Sequence, residues 1–521
     1  MVTIPRLVIA APASGCGKTT VATGLMAALR ARGHAVSGHK VGPDYIDPGY
    51  HVLATGRPGR NLDPFLCGED LMGPLFAHGA TGAQIAVIEG VMGLFDGVAD
   101  PAASGLIPDY ASTAHVARLL NAPVILVVDA AAAGRSVAAL IGGFAAFDPR
   151  VRVAGVIFNR VGSPRHERLL REAAEAIGVG VFGAIRRTDA VITPARHLGL
   201  VPVAEWRAAA QGVIAQLAQL VASSCDMAGL LALAATAPSL ACEPWDPFRT
   251  VAACVSRSES SLSSASTMGA PPDVRPPQAS PPLVAVAEGP AFTFSYTEHG
   301  ELLEAAGAHL APFDPLTDED LPDGAAGLVI GGGFPEIYAA QLSANVPLRR
   351  RVAEFAGQGG PVVAECAGLL YLSRTLDSLP MCGVIDAETQ MSSQLTLGYR
   401  TGAAASDSVL ARAGEPVRGH EFHRSVADPR SGARPAWRLS GPGAGRAEGH
   451  VTGNILASYL HTHWARTPSF AARFAVTCRA GGRRAAGGNY TVQSAGKRFA
   501  ARDAAPAALD TAPAYLPGAQ P

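Results

Sequence analysis

Leu7-Val8-Ile9-Ala10-Ala11-Pro12-Ala13-Ser14-Gly15-Cys16-Gly17-Lys18-Thr19-Thr20 runs from an apolar segment into a loop of small residues that ends Gly-Lys-Thr. The apolar run predicts a buried strand, and residues 21–32 predict the helix that follows. Strand, loop and helix N-terminus together cradle phosphate, because backbone N–H groups and the helix dipole face the anion. Lys18 supplies a point charge, the Thr19 hydroxyl reaches a magnesium ion, and Ser14, Gly15, Gly17 and Thr20 complete the nucleotide contact. The full spacing G-x-x-x-x-G-K-[ST] asks for glycine at position 12, where this chain carries Pro12. The competing reading is a glycine-rich turn with an incidental lysine.

Working outward, apolar runs at 85–88, 124–128 and 153–158 alternate with helical segments up to about residue 205. That alternation predicts an α/β unit over 1–205 with a largely parallel sheet covered on both faces. Residues 206–248 read as a helical closing segment, and the Ser- and Pro-rich stretch 249–283 reads as a disordered linker. A second α/β pattern spans 284–480, and the Ala/Gly/Arg/Pro-rich residues 481–521 read as a disordered tail. A chain of 521 residues is too long for one core, so two or three domains are expected. With 48% apolar and 16% charged residues and a net charge of −1, neither nucleic acid nor an anionic membrane is an expected partner. Eight scattered cysteines without a Cys-x-x-Cys pair argue against zinc and a disulfide scaffold, and suit a reducing cytosol. No signal-peptide pattern and no apolar run of about 18 residues are found, so a cytoplasmic protein is expected.

Three further segments of the first half draw attention. In His39-Lys40-Val41-Gly42-Pro43-Asp44-Tyr45-Ile46-Asp47-Pro48-Gly49-Tyr50-His51, two carboxylates stand three residues apart beside a lysine. A site loop, with Lys40 near phosphate and Asp44 and Asp47 on metal or substrate, and an Asp-Pro turn cluster with helix caps fit equally. Glu89 ends the apolar run 85–88, where the C-terminal edge of a parallel sheet places a magnesium ligand beside a phosphate loop; an idle strand-end acid is the alternative. Asp129 and Asn159 end the next two strands. Asn159 is a candidate for reading a nucleotide base, and a surface turn suits either residue as well.

In the second half, Val362-Val363-Ala364-Glu365-Cys366-Ala367-Gly368 places a cysteine between an apolar strand and small residues leading into a helix. That is the geometry of a nucleophile elbow, with the helix N-terminus favouring thiolate. Read alone, such a cysteine belongs in a core, and two other segments point to chemistry. Gly331-Gly332-Gly333 follows an apolar strand and can turn N–H groups toward an oxyanion. Ser458-Tyr459-Leu460-His461-Thr462-His463 offers a base, His461 being the better candidate for pairing with Cys366 in acyl transfer.

The segments from Lys40 to His51, Asn61-Leu62-Asp63-Pro64-Phe65, Glu89-Gly90-Val91-Met92-Gly93 and Arg196-His197-Leu198-Gly199-Leu200 closely resemble cobyrinic or hydrogenobyrinic acid a,c-diamide synthases. The first half also resembles dethiobiotin synthetase, which shares the missing loop glycine, so Pro12 reads as a family trait. The second half resembles a class I glutamine amidotransferase domain of the cobyrinic acid synthase type, and Arg418-Gly419-His420-Glu421-Phe422-His423 also matches. Most members of that class carry His-x-Glu; here His463 takes the third place, as the diamide synthases lack that glutamate, and the group that orients His461 is left open. His420 and His423 read as structural or substrate-facing rather than metal-ligating.

The resemblance, over about 5–205 and 284–470, implies a phosphate-loop NTPase-like parallel-sheet domain followed by an amidotransferase α/β domain. It implies an ATP-dependent ligase that draws ammonia from L-glutamine through Cys366 and His461. Magnesium is then held by Thr19 and Glu89, with Asp44, Tyr45 and Asp47 as a substrate loop. The implied acceptor is a tetrapyrrole of the cobalamin pathway, amidated at its a and c acetates, with the ring's metal content open and a homodimer compatible with the reading. Three alternatives stay open: a switch ATPase with a non-catalytic second half, an amidotransferase domain kept as a scaffold, and a sister enzyme acting on other tetrapyrrole carboxylates such as those of a nickel porphinoid.

Overall fold

The computed structural model describes residues 1–98, 107–187, 195–196, 199–200, 202–263, 281–440 and 446–485. The first half is built on seven strands, β1 (Arg6–Ala10), β2 (Val36–Val41), β3 (Arg60–Leu62), β4 (Ile85–Glu89), β5 (Val124–Asp129), β6 (Val153–Val161) and β7 (Gly180–Arg186). They form one sheet in the order β3-β2-β4-β1-β5-β6-β7, parallel throughout. β1 is buried along its whole length, which is why it reads as an unbroken apolar run: helices cover both faces of such a sheet. The helix Lys18–Ala31 follows β1 and packs on the helix Arg207–Ser224.

The second half holds a six-stranded sheet in the order His309–Phe313, Leu283–Ala287, Ala325–Ile330, Val362–Glu365, Ile455–Ser458, His450–Thr452. All pairs are parallel except the last. A further sheet, absent from the sequence reading, is dominated by the long antiparallel pair Glu388–Ala404 and Pro416–Asp428. The short strand His461–Thr462 joins it by pairing with Gly419 and His420. One apolar core runs through both halves, taking in Leu7, Ile9 and Tyr45 together with Phe294, Tyr296 and Trp464.

The expected linker starts too early. Residues 247–263 form a helix, Pro247–Ser263, that buries Val251 and packs against Thr297–Ala305 and Ser469–Ala485 of the second half. Its serine content disguises an apolar face, and Pro247 suits a first helical turn. The remaining linker residues 264–280 lie outside the described residues, as do 486–521 of the expected tail. The helix Ser469–Ala485 carries the second half past residue 480. Within 206–248 stand the helices Arg207–Ser224 and Met227–Ala235. No helix among the described residues is long and apolar enough to cross a membrane.

Candidate active site

Strand register brings the first centre together. Ile9 and Lys40 both pair with Glu89, so β1, β4 and β2 end side by side where the phosphate loop begins. Gly17 caps the helix at φ 98°, and a Cβ there would sit 2.3 Å from Asn159 Nδ2, so only glycine fits. Lys18 donates to the main-chain carbonyls of Ala13, at 3.2 Å, and of Met92. Thr19 Oγ1 donates to Glu89 Oε1 at 2.5 Å and lies 3.4 Å from Asp47 Oδ2. Lys40 Nζ sits 2.6 Å from Asp47 and 3.0 Å from Glu89, and His51 Nε2 is 2.7 Å from the other oxygen of Glu89. Ser14 is exposed and Thr20 half-buried at the mouth of the loop, where Gly15 takes φ 80°.

Burial opposes every charge in this cluster, and the neighbours overcome it at Glu89 and Lys40. Lys40, His51 and Thr19 together outweigh burial and hold the Glu89 carboxyl well below the usual range. Asp47 and Glu89 likewise outweigh burial at Lys40 and raise its ammonium above the ordinary value. Lys18 moves the other way, lowered by burial and then by Lys40. Burial, then Asp44 and Glu89, push the Asp47 carboxyl up.

Several expectations change. Asp47, read as a substrate-loop residue, belongs to the phosphate cluster through Lys40 and Thr19. Asp44 behaves as the turn reading has it: its Oδ1 accepts from the backbone N–H groups of Ile46 and Asp47, at 2.8 and 2.9 Å. Asn159, the candidate for reading a base, has its Nδ2 donating to Cys16 O at 3.0 Å and its Oδ1 accepting from Arg160 N, so it also ties the phosphate loop to the end of β6. Asp129 is taken up by Arg160 at 2.5 Å and by Ala131 N. Asn61 ties the carbonyls of Gly42 and Asp44, while Asp63 caps Phe65 and Leu66 and accepts from Tyr399 Oη across the two halves at 2.8 Å. His51 carries no signal of its own in the sequence, since only the helix Asp47–Thr55 turns it toward Glu89. His197, part of another motif, lies outside the described residues.

At the second centre, Cys366 follows Val362–Glu365 with φ 50°, a strained value that turns the residue out of the strand. Its N–H donates to Ser458 O at 2.7 Å, tying the elbow to the strand that leads to His461. Burial, then Glu336, push the thiol up, so the expected thiolate is not favoured; the helix that follows, Ala367–Leu372, is only six residues long. His461 is buried, and burial followed by His420, His423 and His299 lowers its imidazole well below the usual range. Gly332 approaches so closely that a Cβ would lie 2.5 Å from His461 Cε1. The three-glycine oxyanion reading needs correction, because the Gly332 N–H donates to Phe294 O at 3.1 Å. Gly331 and Gly333 stay as candidate donors, joined by Ala367, whose N–H already meets the thiol. A small cleft opens beside Cys366, lined among others by Glu336, Leu370, Met391 and Arg424.

His463 stands two residues beyond His461 yet faces away from it, with Nε2 3.6 Å from Glu298 Oε2. Glu298 also receives Arg60 of the first half at 2.8 Å, and Arg60 reaches Glu301 at 2.6 Å. His463 thus belongs to the junction between the halves. His420 stacks on His461 with ring centroids 4.9 Å apart, and His423 stacks on Tyr459 at 3.9 Å. Among the described residues no group of three or more His, Cys, Asp or Glu side chains is arranged to hold a metal ion.

Tyr45 joins the two centres. It lies two residues before Asp47, and its ring packs at 5.2 Å from His461, 5.1 Å from Phe294 and 4.7 Å from Tyr296. The loop that touches Lys40 at one residue therefore touches the candidate base at another.

A family model described as a CobQ/CobB/MinD/ParA nucleotide-binding domain matches residues 7–201, and one described as a CobB/CobQ-like glutamine amidotransferase domain matches residues 283–469. A hydrogenobyrinate a,c-diamide synthase of Streptomyces coelicolor is 60% identical over 485 residues, covering 91% of this chain and 98% of that protein. A protein of the same name from Thermobifida fusca is 50% identical, covering 91% and 96%. A cobyrinate a,c-diamide synthase of Gloeobacter violaceus is 43% identical, covering 91% and 97%. With phosphate loop, cysteine elbow and both domains matched in order over nearly the full length of these relatives, the chain belongs to the a,c-diamide synthase family.

Proposed function

We propose that this protein is an ATP-dependent ligase that converts the a and c acetate carboxylates of hydrogenobyrinate to amides, using ammonia from glutamine. The observation that carries the reading is the 40–47 loop, which meets the phosphate cluster through Asp47 and the candidate glutaminase base through Tyr45. The metal-free ring is favoured over the cobalt form because the relatives at 60% and 50% identity bear the hydrogenobyrinate name, and the one at 43% the cobyrinate name.

Cys366 attacks the glutamine side-chain amide while His461 takes the thiol proton and passes it to the departing ammonia. Gly331, Gly333 and Ala367 supply N–H groups for the oxyanion, and water releases glutamate from the thioester. Glu336 and Arg424 give the cleft opposite charges suited to the ammonium and carboxylate of an amino acid. In the first half, a substrate carboxylate attacks the γ-phosphate of ATP and ADP leaves, giving an acyl phosphate, with Lys18 and Lys40 supplying positive charge. Ammonia then attacks the acyl phosphate, phosphate leaves, and an amide results. Thr19, Asp47 and Glu89 offer hard oxygen donors within one cluster, a set that fits Mg²⁺ in company with phosphate oxygens, and the ion there supplies charge neutralisation. ATP as co-substrate and eight unpaired cysteines go with a cytoplasmic setting.

The test is incubation with ATP, Mg²⁺, glutamine and either ring, counting amides by mass. Two amides on hydrogenobyrinate, with glutamate released, is the expected result. No amide on either ring contradicts the reading, and faster turnover of cobyrinate contradicts the choice of ring.

A further inference from the structure

The thiol centre has no orienting acid where its class carries one, since His463 stands there and turns to Glu298. His461 is 1% exposed, and neither ring nitrogen has a hydrogen-bond partner. A buried imidazole in that state has no tautomer fixed by a hydrogen-bonding neighbour. The groups facing it are His420, His423, His299 and Tyr45, with Glu421 and Glu365 as the acids. Glu421 is taken up by Arg400 at 2.6 Å and Arg446 at 2.7 Å. Glu365 is different. Its Oε1 accepts from Thr462 Oγ1 at 2.8 Å and from Thr462 N at 3.3 Å, while Oε2 lies 3.8 Å from His461 Nδ1.

We infer that Glu365 is the positioning residue for His461, its Oε2 accepting a hydrogen bond from Nδ1–H and so leaving Nε2 to exchange a proton with the Cys366 thiol. Two neighbouring residues of one strand end then deliver the orienting acid and the nucleophile. Thr462, next to the histidine, aims the carboxylate by holding its other oxygen. The 3.8 Å separation is longer than a hydrogen bond, and catalytic hydrogen bonds of this kind tighten when substrate is bound. In the reaction the proton moves from sulfur to Nε2 and on to ammonia, and Glu365 neither gains nor loses one. Burial, opposed by the Thr462 hydrogen bonds, lifts the Glu365 carboxyl to about 7, so its ionisation falls within the working range.

This inference rests on the proposed roles of Cys366 and His461. Its test is Glu365→Gln in the full chain, which keeps an oxygen for Thr462 and presents an amide to Nδ1. Glutamine hydrolysis is expected to lose about 10²–10⁴-fold in kcat, with KM for glutamine unchanged within about threefold. Amidation driven by ammonium salts should stay within about twofold, and the acidic limb of the glutaminase pH profile should move to lower pH. Glutamine hydrolysis within about threefold of wild type, or an unmoved acidic limb, overturns the inference. Equal loss of the ammonium-driven reaction also overturns it, because Glu365 then serves the fold alone. Cys366→Ala run in parallel separates the two readings: if it still hydrolyses glutamine, the thiol centre itself is misassigned, whereas an inert Cys366→Ala beside a fully active Glu365→Gln removes only the role of Glu365.

Discussion

At the phosphate loop, Lys18, Lys40, Asp47, Glu89 and His51 are buried together and charge is matched by charge or by main-chain carbonyls. At the thiol centre, His461 packs on Tyr45 and His420 and Phe294 lines the cleft beside Cys366, with burial keeping thiol and imidazole neutral. The difference teaches how one chain keeps two chemistries apart. Phosphoryl transfer needs fixed charge in place before ATP arrives, and the cluster holds it by internal pairing that phosphates and metal can replace. Glutamine hydrolysis needs a nucleophile that does not react idly, and here burial holds both thiol and imidazole neutral, with no hydrogen bond between them.

Three substitutions bear on this contrast. Lys18→Ala should lower amidation from either nitrogen source by about 10³-fold or more, while glutamate release from glutamine survives. Product mass and glutamate release read the two halves separately, and loss of both breaks the separation. Arg60→Ala acts at the junction, leaving Glu298 and Glu301 without their buried cation. A loss of about 3–5 kcal/mol in denaturant unfolding is expected, with more glutamine hydrolysed per amide formed. An unchanged ratio would mean that the junction does not couple the centres. The smallest effect concerns Asp63, whose carboxyl burial raises to about 6 against backbone caps and Tyr399. A raised acid favours the folded protein below its unfolded value near 4, and that contribution disappears as pH rises through 6. The wild type should thus lose up to about 3 kcal/mol from this group between pH 4 and 6. Asp63→Asn keeps the caps, and its urea midpoint should be flatter over that range.

Much of this was legible in the sequence because the decisive residues are contiguous. Gly15 to Thr20 announce a phosphate site on their own, and Glu89 ends an apolar run, so its place at a sheet edge follows from pattern alone. Residues whose partners lie far along the chain were not legible in the same way. Asn159 meeting Cys16, and Tyr45 meeting His461, depend on strand order and on the packing of the two halves. Glu365 was written beside Cys366 throughout, yet only the return of the chain at Thr462 gives it a direction. The Glu388–Ala404 strand escaped because its residues are almost all exposed or half-exposed and carry no apolar alternation. The Pro247–Ser263 helix escaped because composition outweighed periodicity over a serine-rich run.

The central claim is that two separable centres serve one reaction, and Cys366→Ala assayed with both nitrogen sources tests it most directly. Amidation from ammonium salts should persist near the wild-type rate while amidation from glutamine disappears. Equal loss of both, or glutamine-driven amidation that survives, would contradict the account.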